Sequence, residues 1–160
     1  MPRKPRLIMD NACYHLMVRG NQKQSIFLEN DDFNEYLRLL RHYKRKYCFE
    51  LYGYCLMPNH VHLIVGLEKS SILSKIMQGL NLTYANWFNK KYGKVGHLWQ
   101  GRYKSMVINK DKYLLNCIEY VEFNPIRENM HKSPFDHPWN SWRERAGYAE
   151  SGLLDIPDLI

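Results

Sequence analysis

Residues 50–67 read ELYGYCLMPNHVHLIVGL. Two runs rich in strand-forming residues, ELYGYCLM and HVHLIVGL, are joined through a tight MPN link, which predicts a β-hairpin. Pro58 cannot donate to a central ladder, so it belongs in the turn. Strand side chains alternate between faces. Val61, Leu63 and Val65 therefore share one face, and His60, His62 and Ile64 share the other. The aliphatic face requires a cover of helices. The opposite face carries two imidazoles, and each needs a hydrogen-bond partner or a metal ion.

The segments around the hairpin fill in the architecture. CYHLMVRG (13–20) alternates as a first strand, with Tyr14, Leu16 and Val18 on one face and Cys13, His15 and Met17 on the other. In ENDDFNEYLRLLRHYKRKYCF (29–49), Phe33, Tyr36, Leu37, Leu40 and Tyr43 recur at helical spacing, and Asp31 or Asp32 can cap the start. Its other face holds Arg38, Arg41, Lys44, Arg45 and Lys46, which reads first as a solvated helix face. SILSKIMQGLNLTYANWFNKKYG (71–93) is a second helix with the stripe Ile72, Ile76, Leu80, Tyr84 and Trp87/Phe88. Ser70 or Ser71 can cap it, and Gly93 and Gly96 end it. HLWQGRYKSMVI (97–108) is a fourth extended piece. DKYLLNCIEYVEFNP (111–125) is a third helix, with Asp111 as cap and Leu114, Ile118 and Val121 as its apolar stripe. The order βαββαβ, then α, predicts an α+β fold. A four-stranded ferredoxin-like antiparallel sheet is covered by two helices, and the last helix is free for the opposite face.

A length of 160 residues fits one domain, and 45% hydrophobic with 14% aromatic residues indicates a globular chain. No apolar run approaches the roughly 18 residues needed to cross a bilayer. The start, MPRKPRLIMD, has charge but no apolar signal core, which leaves the cytoplasm as the default compartment. The four cysteines, Cys13, Cys48, Cys55 and Cys117, form no CxxC pair and read as reduced thiols. A formal net charge of +7 favours a polyanionic partner, most often nucleic acid.

Two imidazoles at i and i+2 can converge on one divalent ion, or they can be two hydrogen-bonded histidines; spacing alone leaves both readings open. A third ligand would come from the helix covering that face. EYVEFNP (119–125) places Tyr120 and Asn124 four residues apart, on one helical face. A phenol beside an amide ligand suits phosphoryl transfer, with the metal polarising a phosphate and the tyrosine oxygen attacking it. Alternatively, Tyr120 packs and Asn124, ahead of Pro125, ends the helix.

YCLMPNHVHLIV, GHLWQGRYKS, YLLNCIEYVEFNPIREN and WNSWRERAG, in this order, resemble the IS200-like single-tyrosine transposases. The resemblance is strongest to the REP-associated tyrosine transposase branch, and it spans the chain from YHLMVRGN to about residue 147. It implies an HUH endonuclease and strand transferase with the motif His60-Val61-His62. Such an enzyme cuts single-stranded DNA near hairpins with Mg²⁺ or Mn²⁺. It forms a covalent 5′-phosphotyrosine on Tyr120 and frees a 3′-OH, which needs no external energy source. His60 and His62 then hold the metal. The third ligand of the IS200/IS605 branch is a glutamine; here Asn124 stands in its place, a shorter amide, and Asn-Pro at this point fits the REP-associated branch. The rival nucleophile is Tyr113, one heptad earlier. The resemblance further implies hairpin single-stranded DNA as partner, a prokaryotic, nucleoid-associated setting without membrane contact, and a homodimer as one option.

Single strands are held by cationic grooves with aromatic platforms. His97, Trp99, Arg102, Tyr103 and Lys104 offer that mixture, although Trp99 and Tyr103 also suit a strand core. Arg3, Lys4 and Arg6 form a basic arm that can reach a hairpin or merely solubilise the chain. The transposase domain is expected over 1–147. The tail, 148–160, is acidic and apolar; it folds back over the basic site, docks on a partner or stays disordered. Two other function classes compete. One is a module that binds hairpins without cutting, and the other is a metal-dependent phosphoesterase acting on small molecules.

Overall fold

The computed structural model of the chain describes residues 4–109 and 113–158. The expected cap Asp111 and the expected DNA contact Arg3 lie outside them. Four strands form one sheet: β1 (Ala12–Arg19), β2 (Glu50–Met57), β3 (His60–Leu67) and β4 (Lys104–Ile108). Their order is β2-β3-β1-β4, and every neighbouring pair is antiparallel. This is the strand arrangement expected of a βαββαβ chain. Pro58 and Asn59 alone separate β2 from β3, and Met57 pairs with His60 across the turn.

Alternation divides the sheet as the sequence implies. Tyr14, Leu16, Val18, Val61, Leu63 and Val65 join the larger core, beneath α1 (Asn30–Tyr47) and α2 (Leu73–Tyr92). On the other face, Cys13, Cys55, Met57, Ile64 and Ile108 pack against Leu114, Ile118 and Val121 of α3 (Leu114–Glu122). The third helix thus covers the face that carries the histidines.

Helix boundaries follow local chemistry that apolar spacing does not reveal. Glu29, not Asp31 or Asp32, is the cap of α1. Asp32 occupies the third helical position, where its carboxylate accepts hydrogen bonds from the backbone N–H of Leu28 and Glu29. Buried Asp32 also takes a hydrogen bond from Tyr92 at 2.6 Å and pairs with Lys91 at 2.7 Å, tying the start of α1 to the end of α2. Neither Ser70 nor Ser71 caps α2. A 3-10 turn precedes it, and Ser70 instead donates its N–H and hydroxyl to Asp10. Gly93 ends α2 in the left-handed conformation, as expected. Residues 97–103 do not extend β4. They form an irregular crossing held to the end of β1, with Gln100 N donating to Arg19 O and Asn21 N to Leu98 O, both at 2.8 Å. The last predicted helix is two: α3 ends at Glu122, Phe123 is the joint, and α4 spans Asn124–Arg127. Pro125 has no N–H for a continuous ladder, which explains the break.

After α4 the chain runs down the free edge of β2. Leu56 N donates to Trp139 O, Ser141 N donates to Tyr54 O, and Tyr54 N donates to Ser141 Oγ. Covering an edge in this way removes a template for aggregation. A short helix α5 (Trp142–Arg145) brings Arg145 to buried Glu122 at 2.9 Å, and Ser141 donates to the same carboxylate at 2.7 Å. Up to residue 158 the tail packs on its own domain, a course outside those expected. Leu153 is buried in the larger core, and Asp155 N donates to Leu51 O while its carboxylate accepts from Leu51 N. Lys44 pairs with Asp155 and Arg38 with Glu35, so the basic face of α1 is partly neutralised in place. Leu51 lies at the opposite end of β2 from the turn that precedes His60, so the part of the tail bound there lies away from the histidines.

Gly20, just after β1, is fixed by space. A Cβ there would lie 2.2 Å from the backbone oxygen of Gln24 and 3.0 Å from Ile26 Cγ2. Backbone atoms cannot yield as a side chain can, so Gly20→Ala should destabilise the protein by about 2–3 kcal/mol. Urea unfolding measures this, and a change under 0.5 kcal/mol would contradict the close approach.

Candidate active site

The register of β1 against β3 builds the site. Met17 lies opposite His62 and Arg19 opposite His60, so His15, Met17 and Arg19 form a row beside the two histidines. The α3–α4 joint closes over this row and brings in Tyr120 and Asn124.

His60 is buried. Its Nδ1 lies 2.7 Å from Asn59 Oδ1, and its Nε2 lies 3.3 Å from Asn124 Oδ1. Amide oxygens only accept, and in the tautomer whose proton sits on Nδ1 it is directed to the closer of the two, Asn59 Oδ1. In that tautomer the Nε2 lone pair faces a second acceptor, the oxygen of Asn124. Two acceptors set against each other in a buried site suit a cation between them. Glu128 Oε1 stands 3.7 Å from the same Nε2. Burial pulls the His60 pKa below its ordinary value, although the Glu128 charge and the Asn124 contact oppose this.

His62 is also buried, and its ring stands nearly perpendicular to that of His60, with centroids 5.0 Å apart. Its Nδ1 lies 2.8 Å from His15 Nε2. One proton occupies that contact; when His62 donates it, His62 Nε2 presents a bare lone pair. Burial, reinforced by the nearby His15, His60, Arg127 and Arg19, pushes the His62 pKa down to about 3. Burial also lowers His15. Neutral imidazoles are the form that binds metal. Among the described residues no three His, Cys, Asp or Glu side chains converge as a metal cage. The donors that face one another here are His60 Nε2 and Asn124 Oδ1, with His62 beside them, nitrogen and oxygen donors of the kind a divalent ion uses.

Tyr120 is half exposed on α3, with its ring edge toward His15 at 6.3 Å between centroids. The guanidinium carbon of Arg127 lies 3.7 Å over the Tyr120 ring, and Arg127 also donates to the Tyr120 carbonyl. Tyr113 stands at the start of α3, about 10 Å further along the axis.

Five of the expected DNA contacts share one groove. Lys4, Arg6, Arg102, Tyr103 and Lys104 line a cavity of about 780 Å³ that includes His15 and Met17 and so opens beside the histidines. Tyr103 is not an open stacking platform. It is buried, and Arg6 already covers it, with its guanidinium carbon 3.8 Å above the ring. Trp99 takes the core alternative. Its indole N–H donates to Asn81 O, and its ring packs against Tyr36 and Tyr84. His97 lines a separate groove with Asn86 and Asn89. The sequence reading gave no role to His15, Arg19, Arg127 or Glu128. For the β1 pair the usable signal was alternation combined with strand order, since β1 lies beside β3 in this topology.

The family model for IS200-like transposases matches residues 8–124. This chain belongs to that family. All four strands, α3 and the residues at its centre fall within the match. Among curated relatives, a protein assigned as a REP-associated tyrosine transposase of Haemophilus influenzae is 28% identical over 123 residues, covering 70% of this chain and 69% of the relative. Among solved structures, a REP-associated tyrosine transposase bound to a REP hairpin superposes with a TM-score of 0.77 at 19% identity, over 99% of this chain and 95% of that one. A transposase structure from Deinococcus radiodurans gives 0.53 at 18% identity, over 82% and 100%. These likenesses establish the fold: a mixed α+β transposase domain. No helix among the described residues is long and apolar enough to cross a membrane.

Proposed function

We propose that the protein is a metal-dependent single-stranded DNA endonuclease and strand transferase acting at hairpin repeats. Tyr120 is its nucleophile, and His60, His62 and Asn124 hold Mg²⁺ or Mn²⁺. The observation that carries the reading is the facing pair His60 Nε2 and Asn124 Oδ1, beside neutral His62, on the face where Tyr120 stands. The solved relative bound to a REP hairpin supports hairpin DNA as substrate. A divalent ion bound there supplies Lewis-acid polarisation of the scissile phosphate. The protein's own part is positional. Arg127 holds the Tyr120 ring from above, and the basic groove leads a strand to the histidine row.

In the forward step the Tyr120 oxygen bonds to phosphorus and the P–O3′ bond breaks. The phenol proton passes to water, and the departing 3′-oxygen takes a proton from water. The DNA 5′ end is left on Tyr120 as a phosphotyrosine. Attack by another 3′-OH reverses the chemistry, joins strands and restores the phenol. One phosphoester replaces another at each step, so no external energy source enters.

The test is one gel. Labelled single-stranded DNA carrying the hairpin that flanks the gene is mixed with protein and Mg²⁺ or Mn²⁺, and an SDS-resistant adduct is expected. Hairpin binding without adduct would favour the non-cutting module. Turnover of small phosphodiesters without adduct would favour the phosphoesterase.

His15 follows as a positioning residue, since it fixes the ring and proton of His62. Partners of this kind are worth about 10- to 100-fold in metal affinity. His15→Ala should weaken Mn²⁺ binding about 10-fold by calorimetry. Unchanged affinity would remove the relay.

A further inference from the structure

We propose that Arg19 is the phosphate anchor of this site, its guanidinium holding a non-bridging oxygen of the scissile DNA phosphate; the proposal rests on the transposase reading above. Arg19 ends β1 directly opposite His60, on the same face as His15 and His62. Its Nε is buried and has no hydrogen-bond partner. None of the ion pairs among the described residues involves it. A buried donor without a partner costs about 1–3 kcal/mol. Folding gains nothing from such a group, whereas a ligand that arrives later can.

Charge identifies the ligand. Arg19 and Arg127 both act as positive neighbours of His62, and the half-exposed Glu128 reaches His60. Two guanidiniums beside two neutral imidazoles give this face a positive character. An anion is the ligand such a face favours. A guanidinium matches the oxygens of a phosphodiester better than it matches any neutral group. In the reaction, charge grows on those oxygens as the tyrosine oxygen approaches phosphorus, so a preset donor there lowers the barrier. Arg127 already covers the tyrosine ring and serves to position it. Arg19 is the cation left free to meet the substrate.

Wild-type protein first maps the cleaved linkage through its adduct. A hairpin is then made with a neutral methylphosphonate at that linkage, and a control carries it two linkages away. Binding of both is measured in EDTA with Tyr120→Phe protein, where neither metal nor cleavage intervenes. The neutral scissile linkage should weaken binding about 10-fold; the control linkage should not. In Tyr120→Phe/Arg19→Gln protein the two hairpins should bind alike. With native DNA and metal, Arg19→Gln should slow adduct formation about 100-fold, and Arg19→Lys should recover part of the rate. The absence of any wild-type adduct overturns the transposase reading and this inference with it. A wild-type adduct together with equal binding of neutral and native linkages by Tyr120→Phe overturns Arg19 alone, whether or not the Gln variant folds. Unaltered discrimination in the double variant does the same.

Discussion

Tyr120→Phe protein should form no covalent adduct with hairpin DNA, a loss of at least about 10⁴-fold relative to wild type. The effect is this large because the hydroxyl oxygen itself becomes part of the product; no neighbouring group can take its place in a tyrosine–phosphate bond. The fold should not notice. Tyr120 is 51% exposed, and phenylalanine keeps the ring on which Arg127 rests. The thermal midpoint and the affinity for uncut hairpin should therefore stay at wild-type values, which separates loss of chemistry from loss of structure. Tyr113→Phe is the matching control. Tyr113 lies two helical turns away, so its variant should retain the adduct. An adduct that survives in Tyr120→Phe and disappears in Tyr113→Phe would move the nucleophile to the other tyrosine.

Much of this site was legible because strands and helices have fixed periods. Val61-Leu63-Val65 against His60-His62-Ile64 assigns both faces of β3, and the apolar stripe Leu114-Ile118-Val121 gives α3 a face to bury. Three kinds of feature were not legible. A register shift between Leu51 and Gly53 breaks the alternation of β2, so Leu51 and Tyr54 both reach the larger core although they are three residues apart. Side chains also choose partners distant in sequence. Ser70 binds Asp10, and Asp32 serves both its own helix start and Tyr92, so the caps read from local rules fall elsewhere. Finally, His15 and Arg19 acquire meaning only once β1 is known to lie beside β3. The residues were visible in CYHLMVRG, but their contact with His60 and His62 belongs to topology. Trp99 shows the converse. Its neighbours in GHLWQGRYKS suggest a nucleic-acid platform, yet an irregular crossing turns its ring into the aromatic core.

Metal-free protein should lose stability as pH falls below about 6.5, by about 3 kcal/mol at pH 4.5 from His62 alone. The sign follows from which state takes the proton. An unfolded histidine protonates below its ordinary value of 6.5, whereas buried His62 is held down to about 3. Between those values the unfolded chain binds a proton that the folded chain refuses, so acid favours unfolding. The stabilisation is fully present above pH 6.5 and is withdrawn on the way down, at about 1.4 kcal/mol per pH unit. Burial lowers His15, His60 and His137 in the same direction, so they steepen the same descent. Urea unfolding in EDTA at pH 7.5, 6.5, 5.5 and 4.5 measures it, and since carboxylates begin to titrate by the lowest of these, the steps down to pH 5.5 carry the histidine slope. His62→Gln should flatten the slope whatever it does to the absolute stability, because glutamine has no proton to refuse. A wild-type stability that stays level from pH 7.5 to 4.5 would show that the imidazoles are not held neutral. Adding Mn²⁺ should raise stability at pH 7.5 and make the fall steeper, since the ion binds only the folded, unprotonated pair. The imidazoles that burial keeps unprotonated are thus the ones proposed to hold the metal, so proton and ion compete for the same lone pairs of His60 and His62.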